Sequence, residues 1–268
     1  MKFITSLFAQ IQKDYFLTRS NLMAHVANII LWCVIFPLMI NAIISTAEEF
    51  GITYGFNLIK ASILGFLIWR FSTNVMTEAV NSIYDETLQG VVQQLILSSS
   101  LSITRLSLIK VISSSIFAFL EMLIYSGALY LIFRVYISIT GPLLIIFGIL
   151  ILQIWSFSIF LIGLSFKINN LPSIVSMIST LTLFFSGAMV PLNELGNIFL
   201  FIKYLWPLAL PIDLMRQLAI QNQTIPELIA SGEMYGLVIQ TTVFILLAVI
   251  VLPRQYQRVL ANGILSTQ

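Results

Sequence analysis

The chain alternates long apolar stretches with short polar ones. A helix needs about 20 apolar residues to cross the hydrocarbon layer of a bilayer, which is about 30 Å thick, and small differences in length are absorbed by tilting. Six stretches of 18 residues or more meet this requirement, near residues 22–45, 58–79, 106–133, 142–166, 172–190 and 235–252. The pattern predicts an all-α integral membrane protein, with six transmembrane helices in one domain over residues 1–268.

Residues 2–20 have a different pattern, in which apolar side chains recur at helical spacing among charged and amide ones. The apolar positions are Ile4, Leu7, Phe8, Ile11 and Tyr15. The polar side chains take the other faces of such a helix. Because a membrane span follows directly, we expect an amphipathic helix that lies flat among lipid head groups.

The segment between the fifth and sixth apolar stretches contains two shorter apolar runs. Residues 191–222 are interrupted by Pro191, Pro207 and Pro211. Proline removes a backbone donor inside a helix, and apolar runs of about 10–14 residues are too short to span a bilayer. The segment therefore predicts a re-entrant helix pair.

Composition narrows the class of function. Hydrophobic residues make up 59% of the chain and charged residues 9%, whereas a soluble domain has roughly 25% charged residues. The net charge of +2 and the absence of a basic run in the sequence argue against nucleic-acid binding. A single cysteine, Cys33, and a single histidine, His25, exclude a disulfide within the chain and a multi-histidine metal site. No cofactor is expected to bind to this chain itself.

The distribution of lysine and arginine predicts the orientation in the membrane. With the N-terminus in the cytoplasm, eight of the 13 basic residues fall on the cytoplasmic side and four fall outside, while Arg70 lies within a span. Cytoplasmic loops carry an excess of basic residues. We therefore expect both termini in the cytoplasm and residues 46–57 outside.

Residues 82–98 connect the second and third apolar stretches on the cytoplasmic side. Ser82 and Asp85 have the spacing of a capping box, and Asp85 and Glu86 would lie in the first helical turn, where negative charge suits the helix dipole. An apolar stripe follows at helical spacing, formed by Leu88, Val91, Val92 and Leu95. The pattern predicts a short cytoplasmic helix that docks on a partner. The alternative is a plain connector that lies on the membrane.

Two charged side chains fall deep within the predicted spans. Arg70 and Glu121 each lie about twelve residues from the outer end of a span, which is about 18 Å along a helix. A charge at this depth is costly without a partner. We predict an ion pair between the two helices. The alternatives are a polar patch that lines a substrate path and two unpaired side chains that snorkel.

Four motifs resemble those of type 2 ABC transporter permeases. The segment from Glu86, E-T-L-Q-G-V-V-Q-Q-L-I-L-S-S, is similar to the family stretch E-x-x-x-G-T-L-E-Q-L-L-V-T-P. Three shorter matches follow in the family's order: S-G-x-x-x-P at Ser186, Gly187 and Pro191, then W-P-L around Pro207, then D-x-x-R at Asp213 and Arg216. The chain departs from the family pattern at Gln93, Ser99 and Trp206, where the family has an acidic residue, proline and asparagine.

The resemblance implies the membrane subunit of an ABC exporter in the bacterial plasma (inner) membrane. In that family the segment around Glu86 is the coupling helix, which sits on an ATPase subunit. The resemblance therefore implies a coupling site formed by Asp85, Glu86, Leu88, Gly90, Val91, Val92 and Leu95. The resemblance also implies a dimer of permeases, with ATP and Mg²⁺ bound by separate ATPase subunits. The sequence contains no G-x-x-x-x-G-K-[ST] loop, which agrees with a nucleotide site on a partner. The re-entrant pair would narrow the outer side, with a gate formed by Ser186, Gly187, Pro191, Pro207, Asp213 and Arg216.

The alternative function is a secondary transporter driven by an ion gradient. Such a protein is expected to show inverted repeats and several intramembrane acids, whereas the sequence shows no convincing repeat and one deeply placed acid, Glu121. A third hypothesis, a membrane enzyme that acts on lipid, is not supported because the sequence shows no catalytic cluster. The sequence does not distinguish among polysaccharide, peptide, drug and lipid as the substrate.

Overall fold

The computed structural model describes residues 2–49, 56–99, 101–168, 170–190 and 197–261. The described residues form α-helices and no strand. The helices are α1 (Lys2–Ser20), α2 (Leu22–Glu49), α3 (Phe56–Leu88), α4 (Val91–Ser99), α5 (Ile103–Phe133), α6 (Gly141–Ser165), α7 (Leu171–Phe185), α8 (Asn197–Leu205), α9 (Ala209–Ala219), α10 (Ile225–Ala230) and α11 (Glu233–Ala261).

Each predicted span overlaps a helix, although α7 ends at Phe185, five residues before the predicted span 172–190 does. Within the described part of the chain, four helices are long and apolar enough to cross a membrane, namely α2, α5, α6 and α11. α3 has 33 residues, five of them charged. α7 has 15 residues, or about 22 Å of helical rise, which is less than the hydrocarbon thickness. The all-α membrane class is confirmed, and the six-span layout stays a prediction.

α3 lies at the centre of the bundle. Residues 61–69 are all buried, and α3 packs against α5, α6, α7 and α9. α9 is also buried on every side, from Ala209 to Leu218. α2 lies at the periphery, with 11% of its apolar window buried. Polar side chains on α3 and α9 must therefore find their partners inside the protein.

α1 turns its polar side toward the protein. Asp14 accepts hydrogen bonds from Gln10 Nε2 at 2.7 Å and from Ser113 Oγ of α5 at 2.5 Å. Ile4 and Phe8 are 60% and 68% exposed. A helix on a soluble domain has the opposite arrangement. The exposed apolar face of α1 suits a lipid surface, and its interfacial placement stays a prediction.

The connection between α3 and α4 corrects the helix that was predicted over residues 82–98. α3 continues past Ser82 to Leu88, a turn follows, and α4 then begins. Gly90 in that turn has a φ of 70°, in the left-handed region that suits glycine. The predicted cap at Ser82 is wrong because Ser82 lies inside α3, where its hydroxyl accepts a hydrogen bond from Lys110 Nζ at 3.0 Å.

Candidate functional site

The α3–α4 corner, which we define as residues 85–95, holds all seven residues that the sequence predicts for coupling. Asp85 and Gln89 are exposed, and Leu88 is 49% exposed. Val92 is buried, while Val91 and Leu95 are half-buried and Leu95 packs against the core. The predicted apolar stripe is thus divided, because the turn at Gly90 places Leu88 on a different helix from the valines. The exposed side chains of the corner include Asp85, Leu88 and Gln89 at the end of α3 and Gln94 on α4.

Glu86 is buried behind this exposed surface. Its Oε1 accepts a hydrogen bond from Lys110 Nζ of α5 at 2.5 Å, and it also pairs with Lys13 Nζ of α1. The side chain of Lys110 is 1% exposed. Glu86 therefore joins α1, α3 and α5, whereas direct docking on a partner would need an exposed carboxylate.

The corner is also joined to the start of α7. The backbone N–H of Asn170 donates to the hydroxyl of Tyr84, at 3.3 Å. Asn170 has a φ of 66°, a conformation that asparagine tolerates better than most residues. The end of α3 is therefore bonded to α1 and α5 through Glu86 and to the start of α7 through Tyr84.

Arg70 lies near the middle of α3, between two aromatic side chains. Its Nε donates to the hydroxyl of Tyr125 at 3.3 Å. Its Cζ stands 5.5 Å from the ring centroid of Trp32 and 5.7 Å from that of Tyr125. Each cation–π contact contributes about 0.5–2 kcal/mol. An arginine at the centre of a spanning helix costs about 2.5–3.5 kcal/mol, so the rings offset part or all of this cost.

Glu121 has neutral and imidazole partners in place of the predicted ion pair. Its Oε2 accepts from Asn74 Nδ2 at 2.5 Å, and its Oε1 lies 3.2 Å from His25 Nδ1. The ion pairs formed by the described residues do not include one with Arg70. The predicted pair is wrong by one helical turn, since Glu121 lies opposite Asn74 and Tyr125 lies opposite Arg70. The depth of each side chain was counted in residues from the end of its predicted span. This count is not accurate enough to distinguish positions that differ by one helical turn.

The break between α8 and α9 is stabilised by two buried amides. Gln153 Nε2 of α6 donates to the carbonyl of Pro207 at 2.5 Å. Gln240 Nε2 of α11 donates to the carbonyls of Tyr204 and Trp206, at 3.1 and 2.9 Å. Backbone outside a helix is tolerated at membrane depth only where such groups are satisfied within the protein. The carbonyls at this break are therefore satisfied within the protein, and the re-entrant pair stays a prediction.

Asp213 belongs to a buried charge cluster. Lys203 Nζ of α8 lies 2.5 Å from Asp213 Oδ2 and 2.6 Å from Glu233 Oε1 of α11. Gln217 Nε2 donates to the same two carboxylates, at 2.9 and 2.7 Å. The cluster joins both members of the α8–α9 pair to the last long helix.

Arg216 connects α9 to the turn that follows α7. Its Nε donates to the carbonyl of Ala61 and its Nη2 to the carbonyl of Ala188, both at 2.9 Å. Gly65 of α3 packs directly against Ala188 and Arg216, so closely that a Cβ there would overlap both. The guanidinium thus takes the place of the helical donors that the turn lacks.

The predicted gate residues fall into two groups in the structure. Ser186 is buried and Gly187, with a φ of 69°, ends α7, so both lie in the turn that Arg216 contacts. Pro207 and Asp213 lie at the α8–α9 break and in its charge cluster. Pro191 lies outside the described residues. The structure therefore places the described gate residues on adjoining elements around α9.

The sequence prediction missed most of the partners in these sites. Gln153 and Gln240 are amides within apolar runs, a signal that could have identified them because a polar group in hydrocarbon needs a partner. Lys13 and Lys110 carry no comparable signal, since they lie 73 and 24 residues from Glu86 in the chain. Their contact follows from the packing of three helices.

Comparison with known proteins gives one family. A family model described as ABC-2 type transporter matches residues 2–220. The matched region runs from α1 through α9 and includes the α3–α4 corner, Arg70, Glu121 and all of the predicted gate. A search of curated proteins gives no match.

Proposed function

Because the chain belongs to the ABC-2 type transporter family, we propose that it is the permease subunit of an ABC exporter. Separate nucleotide-binding subunits hydrolyse ATP with Mg²⁺, and the energy of that reaction moves a substrate outward through the membrane. The permease works as a dimer, with a second copy or a homologous permease. It lies in the bacterial inner membrane with both termini in the cytoplasm.

The observation that carries this proposal is the construction of the α3–α4 corner. The corner presents Asp85, Leu88 and Gln89 to solvent, while Glu86 behind them is fixed to α1 and α5. A partner that pushes on the exposed side chains displaces two long membrane helices and the interfacial helix together. This geometry supports the coupling of an external ATPase to movement within the membrane.

The α8–α9 pair supports the second half of the proposal, a gate on the outer side. The buried cluster of Lys203, Asp213 and Glu233 holds the pair against α11. Arg216 holds the pair against α3 and the end of α7. α3 carries Glu86 at its cytoplasmic end and accepts a hydrogen bond from Arg216 of α9 at Ala61. Movement of α3 at the α3–α4 corner thus reaches the α8–α9 pair.

The test is a reconstituted complex of the permease with its ATPase subunit. The corner is altered by Leu88→Asp together with Gln89→Lys, and the matched control is Gln221→Lys, the same change at an exposed glutamine on the predicted outer side. Loss of a central interface contact costs about 1.4 kcal/mol or more, which is about tenfold in affinity. We expect the corner variant to co-purify about tenfold less ATPase and to lose transport, while the control keeps both. Normal binding and coupling in the corner variant would place the contact elsewhere.

The secondary transporter is the second candidate, and the contact of Glu121 with His25 is the observation that favours it. Acids and histidines placed together within a membrane form the ion and proton pathways of many transporters. An ATPase subunit without catalytic activity separates the two functions. Transport that persists with that subunit and stops when the ion gradient is collapsed would establish the secondary mechanism.

A further inference from the structure

We propose that Arg70 binds the oxyanion head group, a phosphate or a carboxylate, of an amphiphilic substrate that enters from the bilayer. The proposal rests on the proposed function and names the substrate class for it.

The first step is the hydrogen-bonding capacity of Arg70. A guanidinium has five N–H donors in a planar fork, and the structure uses Nε for Tyr125. Within the described residues, the hydrogen bonds and ion pairs of Arg70 involve neither of its Nη groups. Glu121, the acid expected to neutralise Arg70, is bonded to Asn74 and His25 instead. The fork is therefore positioned and retains the geometry that binds an oxyanion through two parallel hydrogen bonds.

The second step is the wall around the guanidinium. Trp32 and Tyr125 face Arg70 from α2 and α5. Trp32 packs edge-on against Trp69 at 5.0 Å, and Phe66 packs against Tyr125 at 5.8 Å. These rings fix the direction of the fork and surround it with apolar surface, which strengthens its attraction for an anion.

The third step is the exposure of the helix that lies beside the site. α2, which contributes Trp32, is the least buried of the four helices long and apolar enough to span. Arg70 is half-buried and lies about 21 Å along α3 from its start at Phe56. An inorganic anion in hydrocarbon is costly, so it would need a water-filled path to that depth. An amphiphile reaches it with its tail in the hydrocarbon and its head on the guanidinium.

The experiment measures binding of dodecyl phosphate to the purified full-length chain in a neutral detergent, by native mass spectrometry. Dodecanol is the uncharged counterpart, and inorganic phosphate is the free-anion competitor. We compare the wild type with Arg70→Gln and Arg70→Lys, and we use Arg105→Gln as the control because Arg105 is an exposed arginine at the start of α5. We expect the Kd for dodecyl phosphate to rise at least tenfold in Arg70→Gln, to rise less in Arg70→Lys, and to stay unchanged in Arg105→Gln. Dodecanol should not distinguish the variants.

Tyr125→Phe keeps the experiment decisive if Arg70→Gln fails to fold. Tyr125 is buried, phenylalanine has nearly its shape, and the change removes only the hydroxyl that orients Arg70. We expect about a threefold to tenfold rise in Kd from this variant. Equal affinity in Arg70→Gln and wild type, or no binding by the wild type, overturns the proposal. Displacement by inorganic phosphate at the affinity of dodecyl phosphate overturns the assignment to an amphiphile.

The result is independent of the test for ATP coupling. The binding measurement uses the permease alone, so its failure with a functional ATPase complex removes only the anion site. Binding that persists when ATPase coupling fails leaves the anion site in place and removes the proposed function.

Discussion

Removal of the buried carboxylate of Glu86 should destabilise the protein more than removal of its exposed partner. Lys110 and Glu86 have side chains that are 1% and 7% exposed, so Glu86→Gln leaves a buried lysine without a counter-charge. Breaking a buried pair in this way costs about 3–5 kcal/mol. Lys13 is 45% exposed, and an exposed ion pair contributes about 0–1 kcal/mol. Lys13→Met should therefore cost several-fold less free energy of unfolding than Glu86→Gln.

The double variant Glu86→Gln/Lys110→Met tests whether this difference arises from the pair itself. It removes both charges, so we expect it to recover part of the stability that Glu86→Gln loses. The measurement is the free energy of unfolding in mixed micelles titrated with SDS, with the fraction of folded protein checked by size-exclusion chromatography. A cost for Glu86→Gln as small as that for Lys13→Met, or a double variant as poor as the sum of its singles, would refute the buried cluster.

Two further predictions concern the orientation and the centre of the fold. In a Cys33→Ala background, an impermeant maleimide should label Gln221→Cys in intact cells and Gln89→Cys only after lysis, and the reverse pattern would invert the orientation. Gly65→Ala should cost about 1–3 kcal/mol of stability because its Cβ overlaps the backbone at residue 188. The same change at Gly127, where a Cβ meets nothing within 4 Å, should be neutral or stabilising by up to about 1 kcal/mol, as measured by the same SDS titration. Equal effects of the two glycine changes would contradict the close packing at Gly65.

The positions of the long helices could be predicted because contact with lipid requires apolar side chains at every turn. The apolar stretch near 142–166 corresponds to α6, Gly141–Ser165. The predicted helix ends were less accurate where the residue of a local motif formed a tertiary hydrogen bond instead. Ser82 has the spacing of a cap, yet its hydroxyl accepts from Lys110 and α3 continues for another six residues. α7 ends at Phe185 because Gly187 adopts a positive φ, a common termination of a helix.

The chemistry of the sites was predicted less completely than the fold. The residues with family motifs, such as Asp213 and Arg216, were identified, but the groups that they contact were not. Asp213 pairs with Lys203, and Arg216 bonds to backbone carbonyls of two other segments. A motif specifies which residue is needed, whereas the partner depends on the packing of distant helices. The register of α3 against α5 also depends on packing, and it separates Arg70 from Glu121 by one helical turn.

On the proposed placement of α8 and α9 at membrane depth, the hydrogen bonds at their break also set an order of assembly during synthesis. Gln240 follows Trp206 by 34 residues, so it is synthesised after the break that it stabilises. Until it arrives, the carbonyl of Tyr204 has no donor from α11, and burying it unsatisfied in hydrocarbon costs several kcal/mol, whereas the carbonyl of Trp206 also accepts from the backbone N–H of Ala209. We therefore expect the segment to stay at the water interface while the ribosome completes α11. It should move inward when α11 packs along α6 and brings Gln240 next to Gln153, so that the last long helix to be made permits insertion of a pair made before it.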